Sequence, residues 1–378
     1  MPTIDILRQL IAFDTTSAKT NLPLIEFVEK LLAGSGIVSH RIPDPTGNKA
    51  NLLASIGPQS ECGVVLSAHT DVVPVDGQEW STDPFTLTER RERLYGRGTA
   101  DMKSFLAAIL AALPAITAAD LTIPLHIALT YDEEIGGLGV PDLVTALQSL
   151  PHLPRFCIVG EPTGMQVVTD HKGIGTYRVS VTGVERHSSL APLGVNAVEF
   201  AARLIVFIQD MARDLAETGP FDNGYVVPHS TVHVGTVAGG TALNIVPGTC
   251  TFEFEIRDLP SDDLSAILRR IQTEASRLQL EMGGGGAIHI EPVVYLPGLS
   301  TAQNAPVVEW AVDLIGRHDT GKVTYGSEAG LFSNAGIPSI VLGPGDIAQA
   351  HQPDEFVAID QLVLADRFVS NLIAWASR

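Results

Sequence analysis

Histidine and carboxylate side chains come directly after four apolar segments of this sequence. These segments are short and rich in β-branched residues, which is typical of buried strands. The residues that follow them are His69 and Asp71 after 64–66, Glu133 and Glu134 after 125–130, Glu161 after 156–159, and His351 after 339–342. Because ligands of open α/β sheets bind beyond the carboxyl ends of the strands, we expect these side chains to meet at one sheet edge.

Asp101 is a fifth candidate, because it ends the turn 96–101 in front of a predicted apolar helix. Alone, each of these residues is more typical of a solvated loop or a helix N-cap than of a functional site. Several carboxylates gathered with two imidazoles at one edge would nevertheless repel one another unless cations lay among them. The combination therefore predicts a metal centre.

The chemistry of the donors narrows the choice of metal. Two histidines and three carboxylates without a thiolate suit zinc, cobalt or manganese better than a structural zinc finger or a copper site. Two ions about 3.5–4 Å apart can share one carboxylate and hold a hydroxide between them. Their four positive charges exceed the charge of three carboxylates by one, which favours hydroxide at neutral pH.

The consecutive glutamates Glu133 and Glu134 supply one carboxylate more than the ligand set requires. Their side chains diverge, so one can bind metal while the other acts as a general base, and composition does not decide which. Asp71 lies two residues after His69. We expect its carboxylate to accept the other ring proton of that imidazole and so to fix its tautomer.

The elements that must position these residues form two patterns. From residue 50 to 172, and again after 297, apolar runs alternate with helical stretches, which predicts an α/β domain with a mainly parallel sheet. Between them, the order β-α-β-β-α-β predicts an inserted ferredoxin-like domain. We therefore expect a discontinuous metal-binding catalytic domain, 1–173 and 294–378, and an inserted domain, 174–293.

Composition excludes several classes of function. The 378 residues carry a formal net charge of −19 and a pI near 4.9, which disfavours nucleic acids and anionic membranes as partners. The longest apolar run, 105–116, is too short to cross a bilayer. No export signal is recognisable and the three cysteines form no motif, so we expect a cytosolic protein with reduced thiols.

Five segments that contain the candidate ligands and the candidate base also resemble the motifs of a known family. They are His69-Thr-Asp71, Gly98-Thr-Ala-Asp101, Asp132-Glu133-Glu134, Gly160-Glu161-Pro-Thr and the late His351. In order and spacing they resemble, across essentially the whole chain, the metallopeptidase family of aminoacylases, carboxypeptidase G and succinyl-diaminopimelate desuccinylase. The resemblance implies two divalent ions, zinc first and cobalt as an alternative. By the same resemblance, Asp101 bridges the ions, His69 and Glu161 hold one, Glu134 and His351 hold the other, and Glu133 is the base.

The resemblance extends to the insert, which in this family is a lid and dimerisation domain. It implies a homodimer in which His187 polarises the scissile carbonyl, often in the neighbouring subunit, and in which Asn244 and Arg257 bind the substrate. The planar guanidinium of Arg257 independently suits an α-carboxylate, and its alternative is an ordinary surface ion pair. Arg186 departs from the family, where a small residue commonly precedes this histidine.

The substrate class also follows from the resemblance. It implies hydrolysis of an N-acyl amino acid, and the segment 341–355, with Asp354, resembles the branch that acts on N2-acetylornithine. Succinyl-diaminopimelate and a broader range of N-acyl amino acids are the alternatives. A serine hydrolase would need Gly-x-Ser-x-Gly after a strand, which this sequence lacks. A catalytically inactive binding protein of the same fold would be expected to have lost a ligand or the base, and all six residues are present.

Overall fold

The computed structural model describes residues 2–378, which contain sixteen strands and ten α-helices. The strands are β1 (Ser39–Pro43), β2 (Ala50–Ile56), β3 (Val64–His69), β4 (Thr88–Arg90), β5 (Arg93–Tyr95), β6 (Leu125–Thr130), β7 (Phe156–Val159), β8 (Val167–His171), β9 (Ile174–Thr182), β10 (Thr231–Gly239), β11 (Thr249–Arg257), β12 (Ala287–Leu296), β13 (Leu299–Ser300), β14 (Thr320–Val323), β15 (Ser339–Val341) and β16 (Phe356–Ala358). The helices are α1 (Pro2–Ile11), α2 (Leu22–Gly34), α3 (Lys103–Ala111), α4 (Leu113–Ala118), α5 (Val140–Gln148), α6 (Ala197–Thr218), α7 (Leu264–Glu281), α8 (Pro306–Ile315), α9 (Ala329–Asn334) and α10 (Ile359–Ala376). Short 3-10 turns occupy Ser188–Leu193 and Ile347–Gln349.

The chain divides into two units. The second unit comprises His171–Gly298 and Val323–Gly326, and the rest of the chain forms the first. The sequence places the insert at 174–293, so the observed unit is a few residues longer at each end. The reason is that β12 continues to Leu296, which pairs with Ile174, and that the Gly173 amide donates to the Asp258 carbonyl at 2.9 Å.

The first unit is built on a nine-stranded sheet with the order β1-β2-β6-β3-β7-β15-β8-β13, and β14 pairs with β8. The four central strands, β6, β3, β7 and β15, run parallel to one another, whereas β1, β2 and β8 add in antiparallel fashion. The prediction of a mixed α/β fold with a mainly parallel central sheet is confirmed. A separate antiparallel sheet joins β16, β5 and β4.

Every residue of β3, β6 and β7 is buried, as expected for parallel strands covered on both faces. The apolar run 105–116 lies in the two helices α3 and α4, which are separated by a break at Ala112. Pro114 lies in the first turn of α4. Proline lacks an amide hydrogen and its ring crowds the preceding turn, so it is tolerated at a helix start but not inside a helix.

The second unit has a four-stranded sheet with the order β10-β11-β9-β12, in which every neighbouring pair is antiparallel. Alternate residues of β9 and β11 are buried, and they form a core with the apolar sides of α6 and α7. Helix α6 begins after Asn196, whose side chain accepts from two amides of the first turn. Helix α7 is capped by Asp263, and the carboxylate of the preceding Asp262 accepts from the Ser230 hydroxyl.

None of the helices described for residues 2–378 combines the length and the apolar character that crossing a bilayer requires.

Candidate metal centre

The predicted ligands come from loops at the carboxyl ends of the central parallel strands. His69 is the last residue of β3, the pair Glu133 and Glu134 follows β6, and Glu161 follows β7. Asp101 precedes α3. His351 follows β15 and has a φ of 62°, a left-handed conformation that is uncommon outside glycine. Non-glycine residues held in this region concentrate at functional sites.

One half of the site surrounds His69. Its Nε2 atom lies 2.9 Å from Oδ1 of Asp101 and 3.7 Å from Oε1 of Glu161. The His69 ring and both carboxylates are buried. Candidate ligand atoms of Glu133, His69 and Glu161 lie within 4.8 Å of one another, so Glu133 lies beside this half.

The other half surrounds His351. Its Nε2 atom lies 3.3 Å from Oδ2 of Asp101 and 3.1 Å from Oε2 of Glu134. The two oxygens of Asp101 therefore face different histidines. This is the arrangement expected of a carboxylate that bridges two ions.

Two carboxylate oxygens support the presence of cations. Oε1 of Glu134 and Oε1 of Glu161 are buried and have no hydrogen-bond partner among residues 2–378. A buried oxygen without a donor is costly, and a metal ion is one of the partners that can satisfy it. The donor set, imidazole nitrogen and carboxylate oxygen without a thiolate, fits zinc, cobalt or manganese.

The electrostatics of the cluster lead to the same conclusion. Burial and neighbouring carboxylates raise the pKa values of Glu133 and Glu161 well above the ordinary range, and that of Glu134 to about 7. Hydrogen bonds to Asp101 and Glu134 raise the pKa of His351 to about 10. Without ions, protons must neutralise this cluster, and bound cations would replace them.

Asp101 and His69, by contrast, have pKa values that favour their charged forms. Burial would raise the pKa of Asp101, but its contacts with His351 and His69 hold it well below the usual range. Burial would lower the pKa of His69, but the hydrogen bond to Asp101 and the charge of Glu161 hold it well above its ordinary value. Asp101 is therefore the carboxylate of the cluster with the strongest preference for the ionised form.

The structure differs from the sequence prediction for Asp71. The Nδ1 atom of His69 lies 2.9 Å from the main-chain oxygen of Asp71, whereas the nearest carboxylate oxygen is 3.8 Å away. The carboxylate instead accepts from the Ser17 hydroxyl at 2.7 Å and from the amides of Glu133 and Glu134 at 3.1 and 3.3 Å. The main-chain oxygen therefore orients the His69 ring with Nε2 towards the ligands, and the side chain holds the glutamate turn.

Sequence reasoning missed a cation next to this turn. Lys49 forms an ion pair with Asp132, which precedes the glutamates and has a φ of 56°. The Lys49 ammonium also donates to the main-chain oxygen of Ser17. No local motif marks Lys49, because both partners of its ammonium, Ser17 and Asp132, are distant in sequence.

The predicted residues of the second unit lie on its surface. His187 is exposed, its Nδ1 atom lies 2.8 Å from the Ser189 hydroxyl, and the adjacent Ser188 amide donates to the main-chain oxygen of Asn244 at 2.9 Å. The loops of His187 and Asn244 are therefore neighbours. Arg257, at the end of β11, is half-buried.

Arg257 already has an anionic partner. Its Nε and one terminal nitrogen donate to the two carboxylate oxygens of Glu255 at 2.7 and 3.0 Å. This is the bidentate geometry for which a guanidinium is well shaped. A substrate carboxylate would have to use the remaining donors of Arg257 or to displace Glu255.

Known proteins match this chain over most of its length. The sequence model of Peptidase family M20/M25/M40 matches residues 65–375. The acetylornithine deacetylase of Proteus mirabilis is 38% identical over 375 residues, which cover 94% of this chain and 92% of that protein. The acetylornithine deacetylase of Edwardsiella ictaluri is 35% identical over 387 residues, with coverage of 98% and 96%.

Solved structures share the fold at lower identity. The M20 family metallo-carboxypeptidase Sso-CP2 from Sulfolobus solfataricus has a TM-score of 0.77 and 21% identity, with 100% of this chain and 99% of that chain covered. A dinuclear metal binding peptidase from the M20 family of Bacillus subtilis has a TM-score of 0.67 and 15% identity, with 99% and 97% covered. Because the model of peptidase family M20/M25/M40 matches residues 65–375, this chain belongs to that family of hydrolases.

Proposed function

We propose that this protein is an acetylornithine deacetylase, which hydrolyses N2-acetyl-L-ornithine to L-ornithine and acetate. The observation that carries the proposal is the donor set around Asp101, whose two oxygens face His69 and His351. Relatives that carry this name are 35–38% identical over most of the chain. The reaction adds water across an amide bond, which requires an activated water molecule and a group that transfers protons.

We assign the first unit as the catalytic domain, because it contains the proposed metal ligands and the proposed general base. Asp101 would be shared by two divalent ions, with His69 and Glu161 on one side and Glu134 and His351 on the other. Zinc is our first assignment and cobalt the alternative. Bound ions would polarise the acyl carbonyl and lower the pKa of water. Glu133 would take a proton from the attacking water and deliver it to the departing amine nitrogen.

We assign the second unit as a ferredoxin-like lid and dimerisation domain. Its antiparallel order β10-β11-β9-β12 and its two helices support this assignment. In the proposed homodimer, His187 of one subunit donates to the scissile carbonyl in the site of the other. Asn244 and Arg257 would bind the substrate, with Arg257 at its α-carboxylate.

We place the reaction in the cytosol. The cysteines of this chain, Cys62, Cys157 and Cys250, are free thiols. Free thiols are usual where the surroundings are reducing.

A panel of amides tests the proposal. The protein, stripped with a chelator and reloaded with zinc or with cobalt, is assayed for amine release from N2-acetyl-L-ornithine, succinyl-diaminopimelate and N-acetylmethionine. We expect the highest kcat/KM for acetylornithine and none in the stripped sample. A higher kcat/KM for succinyl-diaminopimelate would contradict the proposed substrate.

The amide of N2-acetyl-L-ornithine serves as the matched control for the α-carboxylate. It keeps the acyl group and the side chain but removes the charge that Arg257 would bind. We expect it to be a poor substrate. Equal turnover of acetylornithine and its amide would remove Arg257 from the site.

A further inference from the structure

Glu355 carries a carboxylate that lies inside the first unit, four residues after His351. Glu355 and Arg97 are each only 1% exposed, and a terminal nitrogen of Arg97 lies 2.6 Å from Oε2 of Glu355. A buried ion pair costs desolvation on both sides. It therefore requires further hydrogen bonds to be tolerated, and those of Glu355 lead to the metal centre.

The first branch of this network leads to Asp101. Oε2 of Glu355 accepts from the Gly98 amide at 3.1 Å, and Oε1 accepts from the amides of Ala100 and Asp101 at 2.8 and 3.1 Å. The turn 98–101 is thus wrapped around one carboxylate. The main chain of Asp101, the proposed bridging ligand, is therefore held by Glu355, which is distant in sequence.

The second branch leads to His351. The other terminal nitrogen of Arg97 donates to Oε1 of Gln78 at 2.7 Å, and Nε2 of Gln78 donates to the main-chain oxygen of His351 at 2.9 Å. Arg97 also lies over the ring of Trp80 at 5.1 Å, which holds the guanidinium in place. One buried ion pair therefore connects the loops of Asp101 and His351.

We propose that Glu355, acting through Arg97 and Gln78, is a positioning residue that fixes Asp101 relative to His351. It thereby sets the affinity for the ion that these two residues share with Glu134. The inference rests on the metal centre of the proposed function. Glutamate is required because its two oxygens accept from three amides and one guanidinium, whereas a glutamine amide would turn N–H groups towards those donors.

Metal affinity provides the test, and it does not depend on turnover. Chelator competition gives the affinity for each of the two ions, and the visible spectrum of the cobalt-loaded protein reports ligand geometry. For Glu355→Gln we expect affinity for the ion at Glu134 and His351 to fall by about 10–100-fold, with an altered cobalt spectrum. The ion at His69 and Glu161 shares only Asp101 with the network, so its affinity should fall less.

Gln78→Glu is the second variant. It keeps the acceptor for Arg97 but removes the donor to the His351 main chain. Because Gln78 is only partly buried, we expect this substitution to disturb the fold less than Glu355→Gln. We expect weaker binding of the same ion, by less than in Glu355→Gln, with the other ion unaffected. If Glu355→Gln does not fold, parental affinity in Gln78→Glu overturns the proposal by itself.

Glu328→Gln is the matched control. Glu328 is also a fully buried carboxylate, but it accepts from the hydroxyls of Ser67 and Thr130, which can turn to suit an amide. We expect both ions to bind as in the parent. An equal loss in Glu328→Gln would mean that buried charge matters rather than positioning, and would overturn the inference. A parent protein that binds fewer than two ions would instead contradict the proposed function.

Discussion

Glu133 and Glu134 are neighbours in sequence but make different contacts. An oxygen of Glu134 lies 3.1 Å from Nε2 of His351, whereas Glu133 lies beside His69 and Glu161. The Asp71 carboxylate holds both of their amides. The turn therefore directs two identical side chains towards two different histidines.

We predict that Glu133→Gln loses about 10²–10⁴-fold in kcat while its metal content stays near that of the parent, because only the proton acceptor is removed. Glu134→Gln should instead lose metal, because its amide is a poorer ligand than a carboxylate. Steady-state kinetics and elemental analysis of both variants check this. Loss of an ion from Glu133→Gln together with retention in Glu134→Gln would show that the two roles are exchanged.

Residue types and strand ends were enough to predict which side chains gather around Asp101. They were not enough for Asp71, because spacing does not determine whether the carboxylate or the main-chain oxygen reaches the imidazole. Arg97, Gln78 and Lys49 could not be predicted, since the side-chain contacts that connect them to the site join residues far apart in sequence. Long-range hydrogen bonds become visible only when the fold is known.

At the level of single elements, β6 contains a buried histidine at its second position. His126 is 3% exposed, its Nδ1 atom lies 2.8 Å from the Ser55 hydroxyl, and its Nε2 atom has no hydrogen-bond partner among residues 2–378. A Cβ atom on Gly63 would lie 2.2 Å from Nε2 of His126, so the imidazole packs directly against this glycine. Burial lowers the pKa of His126 to about 4.

Because of His126, the free energy of unfolding should decrease as the pH falls. In the unfolded chain the histidine binds a proton near its ordinary pKa of 6.5, whereas in the folded protein it does so only near 4. The contribution to stability is complete above pH 6.5 and is lost between 6.5 and about 4, by up to about 3 kcal/mol. Urea unfolding of the parent and of His126→Gln at about pH 7.5 and about pH 5 measures it. An identical pH dependence in both proteins would contradict the assignment.

The sequence predicted the existence of most elements better than their ends. The apolar runs of β6 and β7 identified buried strands, and the predicted order β-α-β-β-α-β included α6. Ends depend on single hydrogen bonds, such as those of Asn196 and Asp263, and the break at Ala112 depends on Pro114. The end of a helix therefore depends on which polar side chain forms the capping hydrogen bond.

At the level of the whole molecule, the proposed dimer predicts complementation. Glu133→Gln and His187→Ala should each be nearly inactive, because one lacks the base and the other the donor to the developing oxyanion. After subunit exchange with random pairing, half of the dimers are hybrids with one competent site each. Activity should therefore return to about a quarter of the parent, measured by acetylornithine turnover after exchange is verified.

A matched mixture controls for nonspecific effects. Glu133→Gln and Glu134→Gln alter the same first-unit site, so their hybrids contain no intact site and should stay inactive. If exchange is verified and the mixture of Glu133→Gln with His187→Ala stays equally inactive, His187 does not act across the dimer.

The position of β15 between β7 and β8 has a consequence for synthesis on the ribosome. β7 is complete at Val159, but the strand that pairs with its open edge ends at Val341, and the long second-unit segment His171–Gly298 is translated in between. Nascent chains therefore carry an unpaired apolar strand edge while residues 160–338 are translated, a state open to aggregation or chaperone binding. Because His351 emerges later still, the proposed metal centre can be completed only after the second unit has been synthesised.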